Sequence, residues 1–181
     1  EGIRVVNTDR GGNITYHGPG QLVGYIIADL KAKGIGIHQY VHDVEEVVIR
    51  TLGTYGISAG RDPMYPGVWV GHEKICALGI RVSHWVTKHG FALNVNTNLK
   101  HFEYITPCGI TDRGVTSMRK LLGREVDLAD VAERVLVQCG EVFGQFLGFA
   151  VEHGGRLLYF TLMSTYEVLS PAPALKAVGR S

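Results

Sequence analysis

Apolar positions in the first third of the chain predict a buried strand and a long helix. Residues 22–30 are apolar and rich in β-forming side chains, so they predict a strand that ends in a turn at residues 31–34. A shorter run at residues 3–6 predicts another strand before it. Over approximately residues 38–55, apolar side chains recur at helical spacing with charged ones between them, and Gly56 is expected to end this helix.

The middle of the chain has the shorter pattern of strands and tight turns. Strands are predicted at residues 68–70, 74–82 and 91–95. Turns at residues 71–73 and 88–90, each of which contains a glycine, are predicted to connect them.

Helices return in the last third before the pattern weakens. A short helix is predicted at residues 117–122. A longer one begins at Asp127, whose side chain can accept hydrogen bonds from the free amides of the first turn. A last strand is predicted at residues 149–153. Beyond residue 155, residues 157–162 have the composition of one more strand, and the remainder is typical of an extended tail.

This order of elements predicts an α/β (α+β) fold, in which a mixed β-sheet is flanked by helices. A chain of 181 residues without internal repeats or an evident linker favours one domain. Hydrophobic residues make up 45% and charged residues 19%, which is typical of a folded globular protein. No apolar run reaches the roughly 18 residues that span a bilayer.

Charge and cysteine content narrow the classes of function. A net charge of +1 does not favour nucleic acid as a partner. The three cysteines are widely spaced and form no CxxC pair, so reduced thiols in the cytoplasm or an organelle matrix are expected. Eight histidines include no HExxH pair and no zinc-finger spacing, so no metal site is predicted.

Cys108 is the leading candidate for a nucleophile. Pro107 restricts the backbone before it, and Gly109 lets the chain after the sulfur turn towards a ligand. The alternative is a buried structural thiol in a turn, because free cysteine is among the most buried residue types. Cys76 and Cys139 lie in an apolar strand and a helix and are expected in the core.

Lys74 opens the apolar strand at residues 74–82. Its ammonium group could lower the pKa of a nearby thiol, or, if desolvated, lose its proton and act as a base. An ordinary lysine at a strand end in solvent is the alternative. The glycine-rich loop at residues 10–20 lacks the GxxxxGK[ST] pattern of a P-loop.

Several stretches together resemble the octanoyltransferases of lipoate biosynthesis (lipoyl/octanoyl transferases), and they keep the family's order and spacing over about residues 1–150. They are residues 10–21 (RGGNITYHGPGQ), 67–70 (GVWV), 74–81 (KICALGIR), 89–96 (HGFALNVN), 107–110 (PCGI) and 114–117 (GVTS).

The resemblance implies the fold shared by lipoate–protein ligases and biotin–protein ligases, and an octanoyl transfer that requires no ATP or other cofactor. Cys108 would carry the acyl group as a thioester, and Lys74 would tune or deprotonate it. The acyl pocket would be lined by Arg10, Gly11, Gly12, Asn13, Ile14, Thr15, Tyr16, His17, Ala77, Leu78, Gly79, Gly90, Phe91 and Ala92.

The implied donor is octanoyl-acyl carrier protein. The implied acceptors are the lipoyl domains of 2-oxoacid dehydrogenase complexes and the glycine-cleavage H protein, and a monomer is expected. Carrier proteins and lipoyl domains are usually acidic, so basic residues after the catalytic turn are predicted to steer them, unless these form an ordinary solvated helix face. These residues are Arg113, Arg119, Lys120 and Arg124.

Two departures from the family leave alternatives open. The first of these stretches, residues 10–21, begins within ten residues of Glu1, so residues 1–155 are expected to be a catalytic domain without the family's N-terminal portion. Residues 156–181 are expected to be a strand and tail without an assigned role. The alternative functions are an ATP-dependent lipoate–protein ligase and a non-catalytic acyl-binding module.

Overall fold

The fold is built on one eight-stranded sheet. The computed structural model describes residues 5–12, 14–105, 113–144, 148–153 and 156–160, the last two ranges by their backbone only. The strands are β1 Gln21–Ile27, β2 Gly60–Arg61, β3 Val68–Val70, β4 Glu73–Ser83, β5 Val86–Asn94, β6 Gly114–Val115, β7 Gly148–His153 and β8 Arg156–Phe160.

The strand order is β2-β3-β4-β5-β1-β7-β8, and all pairs along it are antiparallel. The short strand β6 lies parallel to the start of β4, where Glu73 faces Gly114 and Lys74 faces Val115. The sheet is therefore mixed, and the predicted α+β class is confirmed.

Side-chain caps determine where several helices begin. The helices are α1 Leu30–Lys33, α2 Ile37–Gly53, α3 Met118–Leu122 and α4 Leu128–Phe143, with a 3₁₀ helix at Leu99–Tyr104. Asp29, Ser117 and Asp127 each accept a hydrogen bond from a backbone amide of the first turn that follows. The starts predicted for α3 and α4 are confirmed. Within the described part of the chain, no helix is both long and apolar enough to cross a bilayer.

The hydrophobic core lies between one face of the sheet and helices α2 and α4. Leu22 and Ile26 of β1 and Leu93 of β5 are almost fully buried there, as are Val48 of α2 and Val135 of α4. Because side chains alternate along a strand, the other face of β1 and β5 is directed away from these helices. Cys76 and Cys139 belong to this core, as expected, and burial raises the pKa of each thiol well above its ordinary value.

Two local predictions for the first third were wrong, and the strand predicted at residues 3–6 is contradicted at residues 5–6. Val5 and Val6 are exposed and form no strand, whereas residues 3–4 lie outside the described residues. Strand β1 ends at Ile27, because Asp29 caps a helix that begins at Leu30. That one-turn helix, α1, replaces the predicted turn.

The turn predicted at residues 88–90 was also wrong, because β5 runs through them. The β4–β5 hairpin turns instead at His84 and Trp85, whose φ angles of 51° and 66° are those of a tight two-residue turn. Gly90 serves a different purpose: a Cβ atom there would lie 2.1 Å from the carbonyl oxygen of Gly24 in β1.

A pair of glycine substitutions tests this packing. Gly90→Ala is expected to lower the free energy of unfolding by about 1–3 kcal/mol, since a strand backbone must move to admit the methyl group. Gly140→Ala, within α4 and with open space around it, is expected to raise it by roughly 0.5–1 kcal/mol. Urea unfolding of both variants measures the difference, and equal effects would contradict this account of Gly90.

Candidate functional site

A pocket of about 430 Å³ lies on the sheet face directed away from α2 and α4. This volume falls within the range of roughly 300–1,000 Å³ typical of small-molecule sites. Ten of the residues predicted for the acyl site line it: Arg10, Thr15, Tyr16, His17, Ala77, Leu78, Gly79, Gly90, Phe91 and Ala92.

The residues predicted for the acyl site on β4, 77–79, lie directly opposite those predicted on β5, 90–92. Ala77 faces Ala92, Leu78 faces Phe91, and Gly79 faces Gly90. The side chains of Leu78 and Phe91 pack with the core on the far side of the sheet. The floor of the pocket therefore consists of alanine and glycine positions, which leave room above the strands for a ligand.

Residues 8–12 run across this floor, and Thr8 and Arg10 of this segment line one wall of the pocket. The Gly11 N–H donates to the Ile80 carbonyl at 3.2 Å, which attaches the segment to β4. A Cβ atom at Gly79 would lie 2.7 Å from the Arg10 side chain, and one at Gly11 would lie 2.8 Å from the Ile80 oxygen. Gly11 therefore permits a close approach of two backbone segments, whereas Gly79 leaves room for the Arg10 side chain.

Asp9 attaches the same segment to both strands. Its carboxylate accepts from His89 Nε2 at 2.8 Å and lies 3.2 Å from Arg81 Nη1, which also donates to the Asp9 carbonyl. The hydrogen bond from His89, with the charge of Arg81 added, lowers the pKa of Asp9 despite some desolvation. His89 holds this position with a φ of 63°, an uncommon conformation for a residue other than glycine.

A buried amide organises the polar end of the pocket. Gln21 Nε2 donates to Asn94 Oδ1 at 2.9 Å and to the Tyr16 carbonyl at 3.3 Å, while its Oε1 lies 2.8 Å from His17 Nδ1. Since the amide nitrogen faces two acceptors, the oxygen must accept from a protonated Nδ1. Asn94 extends the network, because its Nδ2 donates to the Thr116 carbonyl at 3.1 Å.

Tyr16 joins the loop to the 3₁₀ helix. Its hydroxyl lies 2.6 Å from His101 Nδ1, and its ring packs edge-on against Phe102. The residue is 8% exposed, so it is a fixed part of the wall.

Lys74 lies on β4, three residues before Ala77, and is not among the described residues that line the pocket. Its Nζ donates to the Pro66 carbonyl at 3.1 Å and lies 4.8 Å from the centre of the Trp69 ring. Ile75 has no partner on β3, so an extra residue of β4 immediately follows Lys74. Such irregularities change the direction of neighbouring side chains and are frequent near functional sites.

Cys108 lies outside the described residues, in the interval between Ile105 and Arg113. The chain after this interval is held against Lys74: β6 begins at Gly114, and the Thr116 N–H donates to the Lys74 carbonyl at 3.0 Å. The nucleophilic role of Cys108 stays a prediction.

At the edges of the pocket, the residues predicted to line it differ from those that do. Gly11, Gly12 and Ile14 are exposed beside the pocket, and Asn13 lies outside the described residues. The sequence reasoning missed five lining residues. Period-two alternation opposite the core positions of β1 would have identified two of them; the five are Val6, Thr8, Val23, Tyr25 and His89.

The basic residues predicted to steer partners are mostly paired. Arg113 lies 3.2 Å from Asp62 and Lys120 lies 2.6 Å from Glu73. Further contacts join Arg119 and Arg124 to Glu125, through its carboxylate and its carbonyl respectively. Their positive charge is therefore partly neutralised at the surface. In the part of the chain that the structure describes, no group of three or more acidic, histidine or cysteine side chains is arranged to hold a metal ion.

Residues 1–140 match the family model of the lipoyl protein ligase A/B catalytic domain. Among curated proteins, the octanoyltransferase of Desulforamulus reducens is 51% identical over 144 residues, which are 79% of this chain and 63% of that protein. The octanoyltransferase of Caldicellulosiruptor saccharolyticus is 56% identical over 145 residues, which are 79% of this chain and 62% of that protein. The chain thus spans somewhat less than two thirds of these relatives.

Solved structures with the same fold are more distant in sequence. The biotin protein ligase of Aquifex aeolicus has a TM-score of 0.56 at 20% identity, covering 69% of this chain and 53% of its own. A bi-partite lipoate protein ligase of Thermoplasma acidophilum has a TM-score of 0.58 at 16% identity, covering 75% and 56%. These two structures support the fold and nothing finer.

Breaking the contacts of Asp9 is expected to release the segment that walls the pocket. Since the pKa of Asp9 is lowered in the fold, its contacts are complete at neutral pH. They are lost as the pH falls from about the ordinary value of 3.8 through the lower folded value. Asp9→Asn at neutral pH should likewise reduce protection of the Gly11 amide against hydrogen exchange. Asp43→Asn on α2 is the control, and equal protection of Gly11 in both variants would contradict the role of Asp9.

Proposed function

The chain belongs to the family of the lipoyl protein ligase A/B catalytic domain, and from this membership we propose that it is an octanoyltransferase. The donor is octanoyl-acyl carrier protein, and the acceptor is the ε-amine of a lysine on a lipoyl domain. The names of the curated relatives support the octanoyl group as the unit transferred.

The observation that carries this proposal is the pocket floor. The alanine and glycine positions of β4 and β5 lie opposite each other beneath residues 8–12. Because their side chains are small, they leave an apolar groove above the two strands. An extended acyl chain fits such a groove, because burial of each methylene contributes roughly 0.8 kcal/mol. Arg10, His17 and His89 supply polar groups that can meet the carbonyl end.

The chemistry proceeds through Cys108 in two steps. Its thiolate attacks the carbonyl carbon of the carrier thioester, the bond from that carbon to the carrier sulfur breaks, and the acyl group becomes an enzyme thioester. The carrier leaves as a thiolate and takes up the proton that Cys108 gave up. The lysine amine then attacks this thioester, forming an amide, and the thiol of Cys108 returns with the proton that the amine gives up. The first step exchanges one thioester for another and the second forms a more stable amide, so neither requires ATP.

Lys74 assists the thiol in one of two ways. In an apolar setting the pair is neutral and the amine acts as a general base; in a wetter one, the ammonium stabilises the thiolate. The contact of Lys74 with the Trp69 ring supports the second version, since an aromatic face attracts a cation. The pairing of β6 with β4 supports the proximity of the two groups, because it attaches the chain after Cys108 to the backbone of Lys74.

The acceptors that fit this reaction are the lipoyl domains of 2-oxoacid dehydrogenase complexes and the glycine-cleavage H protein. The protein would act as a monomer in the cytoplasm, where the free thiols of Cys76 and Cys139 stay reduced.

Acylation of Cys108 tests the proposal directly. Incubation with octanoyl-acyl carrier protein is expected to add one octanoyl group that hydroxylamine removes, and Cys108→Ser should abolish it. Mass spectrometry of peptides places the label. A label on another cysteine in Cys108→Ser would contradict the assignment, and turnover that required free octanoate and ATP would favour a ligase instead.

Filling the pocket floor should change the preferred chain length. Ala92→Leu displaces about three methylenes at roughly 0.8 kcal/mol each, so kcat/KM for the octanoyl donor is expected to fall about 50-fold. A butanoyl donor should lose much less. Ala129→Leu, on the exposed first turn of α4, is the control and should leave both values unchanged. An equal loss for both donors in Ala92→Leu would show that the acyl chain binds elsewhere.

A further inference from the structure

One buried carboxylate has no part in the pocket. Glu45 lies on the inner face of α2, and only 6% of the residue is exposed. Acidic side chains are rarely buried to this extent unless they are paired. The next residue, Glu46, is only partly buried, so the two carboxylates provide a comparison within one helical turn.

Glu45 connects α2 to the loop that precedes β3. Its Oε1 accepts from the backbone N–H of Gly67 at 2.9 Å, and its Oε2 accepts from Arg61 Nε at 3.1 Å. Glu46 accepts from Nη2 of the same Arg61 at 2.7 Å and from Arg50 at 2.8 Å. Both carboxylates therefore share one arginine, but of the two only Glu45 bonds to Gly67 among the described contacts.

The Gly67 N–H and the Pro66 carbonyl are the two ends of a single peptide group. That carbonyl is the acceptor for Lys74 Nζ at 3.1 Å. Because a peptide group is planar, a carboxylate that fixes the N–H also fixes the direction of the C=O. A charged acceptor on the N–H side further polarises the carbonyl, which makes it a stronger acceptor for an ammonium group.

The peptide is also held tightly against β4. Gly67 has a φ of 132°, and a Cβ atom there would lie 2.7 Å from the Cys76 carbonyl oxygen and 3.2 Å from Lys74 Cε. The Trp69 ring also lies against the Lys74 ammonium group. A carbonyl and an aromatic face therefore both contribute to the position of Nζ.

We propose that Glu45 is a positioning residue that acts on Lys74 through the Pro66–Gly67 peptide. The inference rests on the proposed function, in which Lys74 assists the thiol of Cys108. Without the carboxylate, the peptide can turn and the ammonium group loses its fixed acceptor, so acylation of the thiol slows. The acyl chain binds farther along β4 and β5, so affinity for the donor is retained.

The test measures acylation of Cys108 in rapid-quench experiments with octanoyl-acyl carrier protein. Glu45→Gln keeps the size of the side chain and should lower the rate constant at saturating donor about tenfold, with KM changed less than twofold. Glu45→Asp keeps the charge but withdraws it from Gly67 and should slow the step likewise. Glu46→Gln, which also loses a charged partner of Arg61, is the control and should stay within twofold of the wild type on both measures.

A double-mutant cycle separates positioning from general destabilisation. Lys74→Met combined with Glu45→Gln is expected to be no slower than Lys74→Met alone, because Glu45 acts only through Lys74. Additive losses, or full speed in both Glu45 variants, would overturn the positioning role and leave Lys74 and Cys108 in theirs. Wild-type acylation in Lys74→Met would overturn the role of Lys74 itself and this inference with it.

Discussion

The site depends on how closely backbone approaches backbone across strands β1, β4 and β5. Gly11 lies on the carbonyl of Ile80, and Gly90 lies against the carbonyl of Gly24, whereas Gly79 leaves room for the side chain of Arg10. At each place a methyl group would overlap a neighbouring atom. The missing side chains let a loop lie on the sheet and leave a groove beside it, so the pocket is a result of close packing as much as of open space.

Much of the fold could be predicted because period and capping are local signals. Asp127 and Ser117 begin helices by hydrogen bonds to amides two or three residues away, and such chemistry is legible in the sequence. The β4–β5 turn was predicted at the wrong residues because Gly90, the glycine near it, does not form a turn. It instead allows close packing against β1, which is distant in sequence. The actual turn residues, His84 and Trp85, are not typical turn formers. Non-local contacts of this kind leave no local signal.

At the site, too, the features set by local sequence could be predicted and those set by non-local contacts could not. The resemblance selected ten residues that line one pocket, but their pairing in register across two strands is a property of the sheet. Gln21, Asp9 and Glu45 act on residues far along the chain or through a backbone group, so no spacing in the sequence identifies them. From the sequence, Glu45 is indistinguishable from an acidic residue on the surface of a helix. Its role follows only from the packing of α2 against the loop that contains Gly67.

The central position of β1 has a consequence for synthesis on the ribosome. Strand β1 leaves the ribosome before both of its neighbours, because it pairs with β5, about 60 residues later, and with β7, about 120 residues later. At 5–20 residues per second, β7 follows after roughly 6–25 s. During that interval β4 and β5 can form their hairpin and β1 can pair with β5, but β1 still lacks its second neighbour, β7. The residues that line the pocket all precede residue 93, so the pocket can assemble before β7 is made. A nascent chain paused before residue 148 nevertheless exposes an unpaired edge of β1, which favours aggregation or chaperone binding.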